Sequence, residues 1–382
     1  MRARPLLAAI PAALLSLSLA PAQSVPVTTA SYVVVLRDGT SPVDAAAFAT
    51  SLGGSVTYVY QHALRGYAAT LTPAALDVVR ARPDVAYVER DITVSGDTTQ
   101  LNPQAWGIDR IDQRSLPLSA SYTYTATGSG VTAYIIDSGI RFTHTQFGGR
   151  AVSGYDAVDG GAADDCNGHG THVAGTVGGS SIGVARSVQL VAVRVLGCTN
   201  SGPISGVLAG VDWVTGNHTA GQPAVANMSL GAGAYSPLDT AVQNMINDGV
   251  VTAVAAGNGN QAGVRQNACN YSPARVGAAI TVGATNSSDQ AASFSNYGTC
   301  VDLLAPGVQI LSSWYTGDTA GAYLDGTSQA TPHVAGVAAL YLQGNPGASP
   351  ATVASAITGN ATTNVISNVG TGTPNRLLFT NY

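Results

Sequence analysis

From residue 131 onward, short apolar runs recur along the chain, at 131–136, 188–195, 224–228, 250–255 and 280–282. They are rich in β-branched residues and lack the in–out alternation of a strand with one wet face. That pattern predicts parallel strands buried on both sides. Helix-patterned segments lie between several of them, at 205–215 and 237–248. Strand–helix alternation sustained over about 280 residues predicts one α/β domain with a doubly covered, mainly parallel sheet.

The part before it has a different rhythm. Residues 32–36 read as a strand ended by Asp38-Gly39, and 44–48 as helix. Residues 55–60 and 66–71 read as strands, 73–80 as a helix with proline near its start, and 85–89 as a last strand. Two strand–helix–strand units over 31–90 predict a small, separate α+β sandwich. Residues 95–103 are polar and read as a linker open to proteolytic nicking. At the start, Arg2 and Arg4 precede an apolar run over 6–19, followed by Ala20-Pro21-Ala22. This is the pattern of a secretory signal peptide over 1–22, too short for the ~20 residues of a membrane span. The mature chain is therefore expected outside the cell, with no membrane association after signal removal.

Composition narrows the classes. Of 382 residues, 45% are hydrophobic and 10% charged, with 45 glycines, which argues against disorder and coiled coil. Net charge is -5 and no Lys/Arg block stands out, which argues against a nucleic-acid partner. Four cysteines in an exported chain, Cys166, Cys198, Cys269 and Cys300, point to disulfides, with three pairings open. Sequential pairing would close two loops of about thirty residues, each contributing on the order of 3 kcal/mol. No C-x-x-C pair supports zinc.

Three segments carry candidate chemistry. Ile135-Ile136-Asp137-Ser138-Gly139 places an acid at the end of a predicted strand. Asn167-Gly168-His169-Gly170-Thr171-His172 and Gly326-Thr327-Ser328-Gln329-Ala330 are loops entering helices. A serine hydroxyl needs an imidazole to take its proton, and the imidazole needs a carboxylate to fix its tautomer. Asp137, His169 and Ser328 supply one of each. A helix start at Ser328 also offers backbone N–H donors to a developing oxyanion. The chain has no H-E-x-x-H motif, and Ala330 stands where the G-x-S-x-G elbow requires glycine.

Together these segments resemble the subtilase superfamily nearly letter for letter, in the Asp, His, Ser order of subtilisin. The resemblance is to the proteinase K branch and, within it, to aqualysin-like enzymes. It covers the chain from Trp106 to the C-terminus, and the preceding domain looks like the subtilisin propeptide. It implies a subtilisin-like three-layer α/β fold with a small α+β propeptide domain before it. The implied divisions are 1–22 signal peptide, 23–98 propeptide and 99–382 peptidase domain, cut between Ser95 and Gln100. The implied activity is a secreted serine endopeptidase of broad specificity, monomeric, acting on proteins and peptides. Its own propeptide would be its intramolecular inhibitor.

The resemblance assigns further residues. Asn258, in Ala255-Ala256-Gly257-Asn258, becomes the side-chain oxyanion donor, although alone it reads as a turn residue before Gly259. Ser229, Leu230 and Gly231 become the edge that pairs with an extended substrate. Gly231 to Gly233 and Ala255, Ala256 and Gly257 are expected to line a pocket suited to large apolar side chains. Structural calcium is implied at Asp302 with the Gly277 and Ala279 carbonyls. A second site is implied at Asp109, Asp112, Gln113, Ser119 and Ser121, where the acids alone would read as surface groups. No cofactor is implied for catalysis. The chain departs from the family at Gln329, usually Met, and at Gly277, usually Pro. His172 and His333 read as packed structural histidines, and His62, His144 and His218 as surface residues. The alternative from another class is a catalytically silent secreted binding protein on the same fold; a complete set of Asp137, His169, Asn258 and Ser328 argues against it.

Overall fold

The computed structural model describes residues 28–91, 98–260 and 262–382, so the expected signal peptide and the start of the expected linker lie outside the described residues. The chain divides into two compact units, at Val94 and Ser95.

In the first unit, strands Ser55–Tyr60, Gly66–Leu71, Ala30–Leu36 and Val85–Arg90 lie in that order in one antiparallel sheet. Each of its two helices is started by local chemistry. Ser41 caps Pro42–Ser51 by accepting the Asp44 N–H, and Thr72 caps Pro73–Arg80 by accepting the Ala75 N–H. In both, proline occupies the first turn, where no amide donor is needed. Val34, Leu36, Tyr67, Leu71, Ala45, Ala49, Leu76 and Val79 form its core.

The second unit is built on nine strands. Their order is Ala151–Asp156, Gln189–Arg194, Thr132–Asp137, Ala224–Met228, Val251–Ala255, Ile280–Thr285, Leu303–Pro306, Arg376–Leu377 and Thr362–Thr363. Every neighbouring pair is parallel except the last. The missing alternation has a direct cause. Ala133 and Ile135 enter one core with helices His169–Gly178 and Thr327–Gly344, while Tyr134 and Ile136 enter a second core with helices Ile204–Asn217 and Ser236–Asn247. Both faces are apolar because both are covered, which gives the three layers.

Strand Thr132–Asp137 is where the sheet changes direction: later strands are laid on both sides of it. In open α/β sheets the crevice beyond the carboxyl ends of the strands at such a point is the usual ligand site. Asp137 ends this strand, Ser229 follows the end of its neighbour Ala224–Met228, and Asn258 follows the end of Val251–Ala255.

Two expectations are corrected here. The polar stretch read as a linker is strand from Thr98: Thr98–Leu101 pairs antiparallel with Ser121–Tyr124, and the Gln100 amide donates to the Ser181 carbonyl. His144 is buried, bound through Nε2 to the Ala320 carbonyl, and the His218 ring is inserted beside Asp248, 2.7 Å from Nδ1. Neither is a surface residue, because each ring has backbone or carboxylate partners that sequence separation hides. His62 is exposed. The cysteines pair sequentially, Cys166 with Cys198 and Cys269 with Cys300.

Candidate active site

Asp137 is fully buried at its strand end. Its Oδ1 accepts the Ser138 N–H at 2.7 Å and lies 2.8 Å from His169 Nδ1. A proton on Nδ1 leaves Nε2 as the basic nitrogen. His169 opens helix His169–Gly178 behind Gly168, whose φ of 113° is a left-handed conformation. A Cβ at Gly168 would also sit 2.6 Å from the Trp314 ring, so the loop requires glycine on both counts.

A second buried carboxylate shapes the same loop. Asp165 Oδ1 accepts from Ser138 Oγ and from the N–H groups of Asn167 and Gly168, while Oδ2 accepts from the Thr171 N–H and hydroxyl. Burial works against protonation of His169, but the charge and hydrogen bond of Asp137, with the charge of Asp165, outweigh it and raise its pKa. His172 and His333 go the other way. Burial pushes both down to about 4. His172 Nε2 lies against the Ile310 and Ala322 carbonyls and His333 Nδ1 against the Gln329 carbonyl, as packed structural rings would.

Ser328 stands in the first turn of the 18-residue helix Thr327–Gly344, among the N–H groups a helix leaves without intrahelical acceptors. Its hydroxyl donates to the Ser229 carbonyl at 3.0 Å rather than to His169. Ser328 and His169 line one cavity of about 350 Å³ together with Ser229, Leu230 and Gly231. Catalytic hydrogen bonds are commonly unformed without substrate and tighten only around it. Asn258 is held by its carbonyl end. Oδ1 accepts the Thr327 N–H at 2.8 Å and the Thr327 hydroxyl at 2.9 Å, which leaves the NH₂ as the end free to donate.

A second cavity of about 210 Å³ opens beside Ser328, lined by Leu230, Gly231, Ala255, Ala256, Gly257 and Asn258, with Tyr271, Ala274 and Asn296 behind them. No charged side chain lines it. Of the expected pocket residues, Ala232 lines the neighbouring cavity instead, and Gly233 is exposed and paired with Tyr271. Sequence reasoning missed Asp165, Thr327 and Tyr271. Asp165 lies just before the His169 motif and Thr327 inside the Ser328 motif, but nothing in the sequence marks what either side chain binds. Gln329 is buried, and its Nε2 has no partner among the described residues.

Both expected cation clusters can be tested against their donors. Asp109 Oδ1 accepts from Ser119 N and Oγ, Gln113 Oε1 accepts from Ser119 N, and Ser119 and Ser121 hydroxyls lie 2.8 Å apart. Asp109 is buried rather than a surface acid. Among the described residues Asp112 Oδ1 is buried without a partner, and burial, with the charge of Asp109, pushes its pKa up to about 6 despite the Thr123 N–H bond. An orphaned carboxylate oxygen among hard oxygen donors suits calcium. Asp302 shares a cavity of about 510 Å³ with Gly277, Ala279 and Arg376, and burial raises its pKa while Arg376 opposes the shift. Among the described residues no three His, Cys, Asp or Glu side chains converge, so a cation here would rest largely on neutral oxygens.

Residues 128–377 match the subtilase family model, and residues 31–96 match that of peptidase inhibitor I9. An extracellular serine proteinase of Thermus sp. (strain Rt41A) is 57% identical over 329 residues, 86% of this chain and 78% of that protein. Proteinase R of Parengyodontium album is 40% identical over 357 residues, 92% of this chain and 89% of that protein. The crystal structure of a cold adapted subtilisin-like serine proteinase superposes with a TM-score of 0.69 at 55% identity, covering 72% of this chain and 98% of the other. The chain belongs to the subtilase family.

Proposed function

We propose that the chain is the precursor of an extracellular serine endopeptidase that hydrolyses proteins through an acyl-enzyme and releases itself from its N-terminal inhibitor domain. The observation that carries this is the 2.8 Å His169 Nδ1–Asp137 Oδ1 contact in the same crevice as Ser328, with Asn258 held amide-outward beside it. Ser328 Oγ attacks the scissile carbonyl carbon as His169 Nε2 takes its proton. Asp137 stabilises the imidazolium and stays ionised. The carbonyl oxygen becomes an oxyanion, met by the Asn258 NH₂ and the Ser328 N–H. Losing the Asn258 donor would cost about 3 to 4 kcal/mol of transition-state stabilisation. His169 then gives its proton to the leaving amine. Water, deprotonated by the same nitrogen, attacks the acyl-enzyme and restores Ser328.

Ser229, Leu230 and Gly231 would hold the substrate backbone, and the uncharged cavity beside Ser328 would take the side chain before the scissile bond. Support for a precursor is the match of residues 31–96 to an inhibitor family ahead of the peptidase match. The divisions 1–22, 23–98 and 99–382, with cleavage between Ser95 and Gln100, remain part of this proposal. So does secretion, which rests on the signal-like start and the extracellular relative. Among the described residues no helix is long and apolar enough to cross a membrane. Calcium, held by Asp109, Asp112, Gln113, Ser119 and Ser121 and by Asp302 with Gly277 and Ala279, would neutralise buried carboxylates and stabilise the fold, with no part in the chemical steps.

Three outcomes follow. Ser328→Ala accumulates as full-length precursor and loses casein hydrolysis by about 10⁶-fold; self-processing of the purified variant would contradict the mechanism. The kcat/KM of the wild type rises with pH through an ionisation above about 6.5, the ordinary histidine value, because His169 accepts the proton only when neutral and its raised pKa keeps it charged to higher pH. An acid limb centred below that value would count against the assignment. Excess chelator shortens the half-life at elevated temperature, and Asp112→Asn or Asp302→Asn removes part of the protection given by added calcium; equal half-lives with and without chelator would rule calcium out.

A further inference from the structure

We propose that Asn296 is a positioning residue for the reaction: its buried carboxamide fixes the backbone on both sides of Asn258 and so sets where the oxyanion donor points. The inference rests on reading Asn258 as that donor. Asn296 is 1% exposed. Its Nδ2 donates to the Ala256 carbonyl at 2.9 Å, and its Oδ1 accepts the Gly259 N–H at 3.0 Å and the Gln266 N–H at 2.8 Å. Its own N–H donates to the Gly257 carbonyl at 2.9 Å. One residue thus holds Ala256, Gly257 and Gly259, the neighbours of Asn258 on either side.

The contact is close as well as polar. Gly257 has φ of 97°, and a Cβ there would lie 2.5 Å from Asn296 Nδ2. An L side chain at that position would both strain the backbone and push the carboxamide away. Asn258 itself is exposed, so packing does not hold it. Its tip is fixed by Thr327, and its backbone is fixed from behind by Asn296.

Asn296 is in turn well anchored. The adjacent Tyr297 exchanges backbone bonds with Gln266 and Ala268, the Ser295 carbonyl accepts Arg265 Nε at 2.6 Å, and the Cys269–Cys300 disulfide closes the same region. A buried amide with unmet partners is costly, whereas an apolar side chain would fill the space without that demand. The carboxamide is therefore explained by the backbone it binds. Asn296 also lines the 210 Å³ cavity beside Ser328.

The test is a double-mutant cycle on the self-processed enzyme with a peptide p-nitroanilide. Asn296→Ala should lower kcat by at least about tenfold with KM changed less than about threefold, a loss smaller than the ~10²–10³ expected for Asn258→Ala. In the Asn258→Ala background, Asn296→Ala should cost less than about threefold, because the donor it aims is gone. Equal fold-losses in both backgrounds, or a rise in KM at constant kcat, would overturn the inference. If Asn258→Ala keeps wild-type kcat, the oxyanion reading itself fails; if Asn258→Ala loses activity and Asn296→Ala does not, only the present inference fails. Should Asn296→Ala not accumulate, Asn296→Ser is measured in the same cycle. Amide exchange in the wild type gives a reading independent of either variant. The Gly259 and Gln266 N–H groups should exchange as slowly as those of strand Val251–Ala255, and rapid exchange at both would overturn the inference.

Discussion

A carboxylate with no access to water is the constraint from which this molecule is built. Asp137 sits at the carboxyl end of a strand covered on both faces, so neither its backbone nor its side chain can move away to find solvent. An anion in that position is tolerable only with donors aimed at it. The Ser138 N–H is one and His169 is the other, and Oδ2 has no partner among the described residues. The demand of Asp137 for a donor and the need of His169 for a fixed tautomer are met by one bond. That bond also makes His169 the more basic ring, while two other buried histidines, His172 and His333, stay neutral.

Around this bond, the groups expected to react are held by groups that do not react. Asp165 gathers the amides of the turn into His169, Thr327 grips the carbonyl end of Asn258, and Asn296 binds the backbone beside it. Each is buried, and each directs its side chain at backbone or amide groups of the loops around the site. Preorganised dipoles stabilise a transition state effectively because they need not reorient during the reaction. Ser328 is the exception: its hydroxyl rests on the Ser229 carbonyl rather than on His169.

The sequence made the sheet interior and the three candidate motifs stand out for the same reason: each is written in contiguous residues. The apolar runs that become Thr132–Asp137, Gln189–Arg194 and Ala224–Met228 carry their burial in their composition. The elements that stayed hidden depend on distant partners. Strand Ala151–Asp156 is an edge with only its two ends buried, and Gly154 interrupts it. Thr98–Leu101 is polar and owes its form to pairing with Ser121–Tyr124. The roles of Asp165 and Asn296 were equally invisible. Asn296 reaches Ala256 across forty positions, and no local pattern marks such a contact. The acids Asp109 and Asp112 looked like surface groups because burial of a short helix, Trp106–Ile111, is a tertiary fact.

Ser328 must be the nucleophile that this hydrogen-bond system activates. Treating the mature enzyme with a fluorophosphonate and locating the adduct by peptide mass spectrometry asks this directly. One adduct on Ser328, absent from Asp137→Asn enzyme freed of its N-terminal domain by an added protease and labelled for the same time, is the predicted result. An adduct on another serine, or labelling at an undiminished rate without the Asp137 carboxylate, would contradict it.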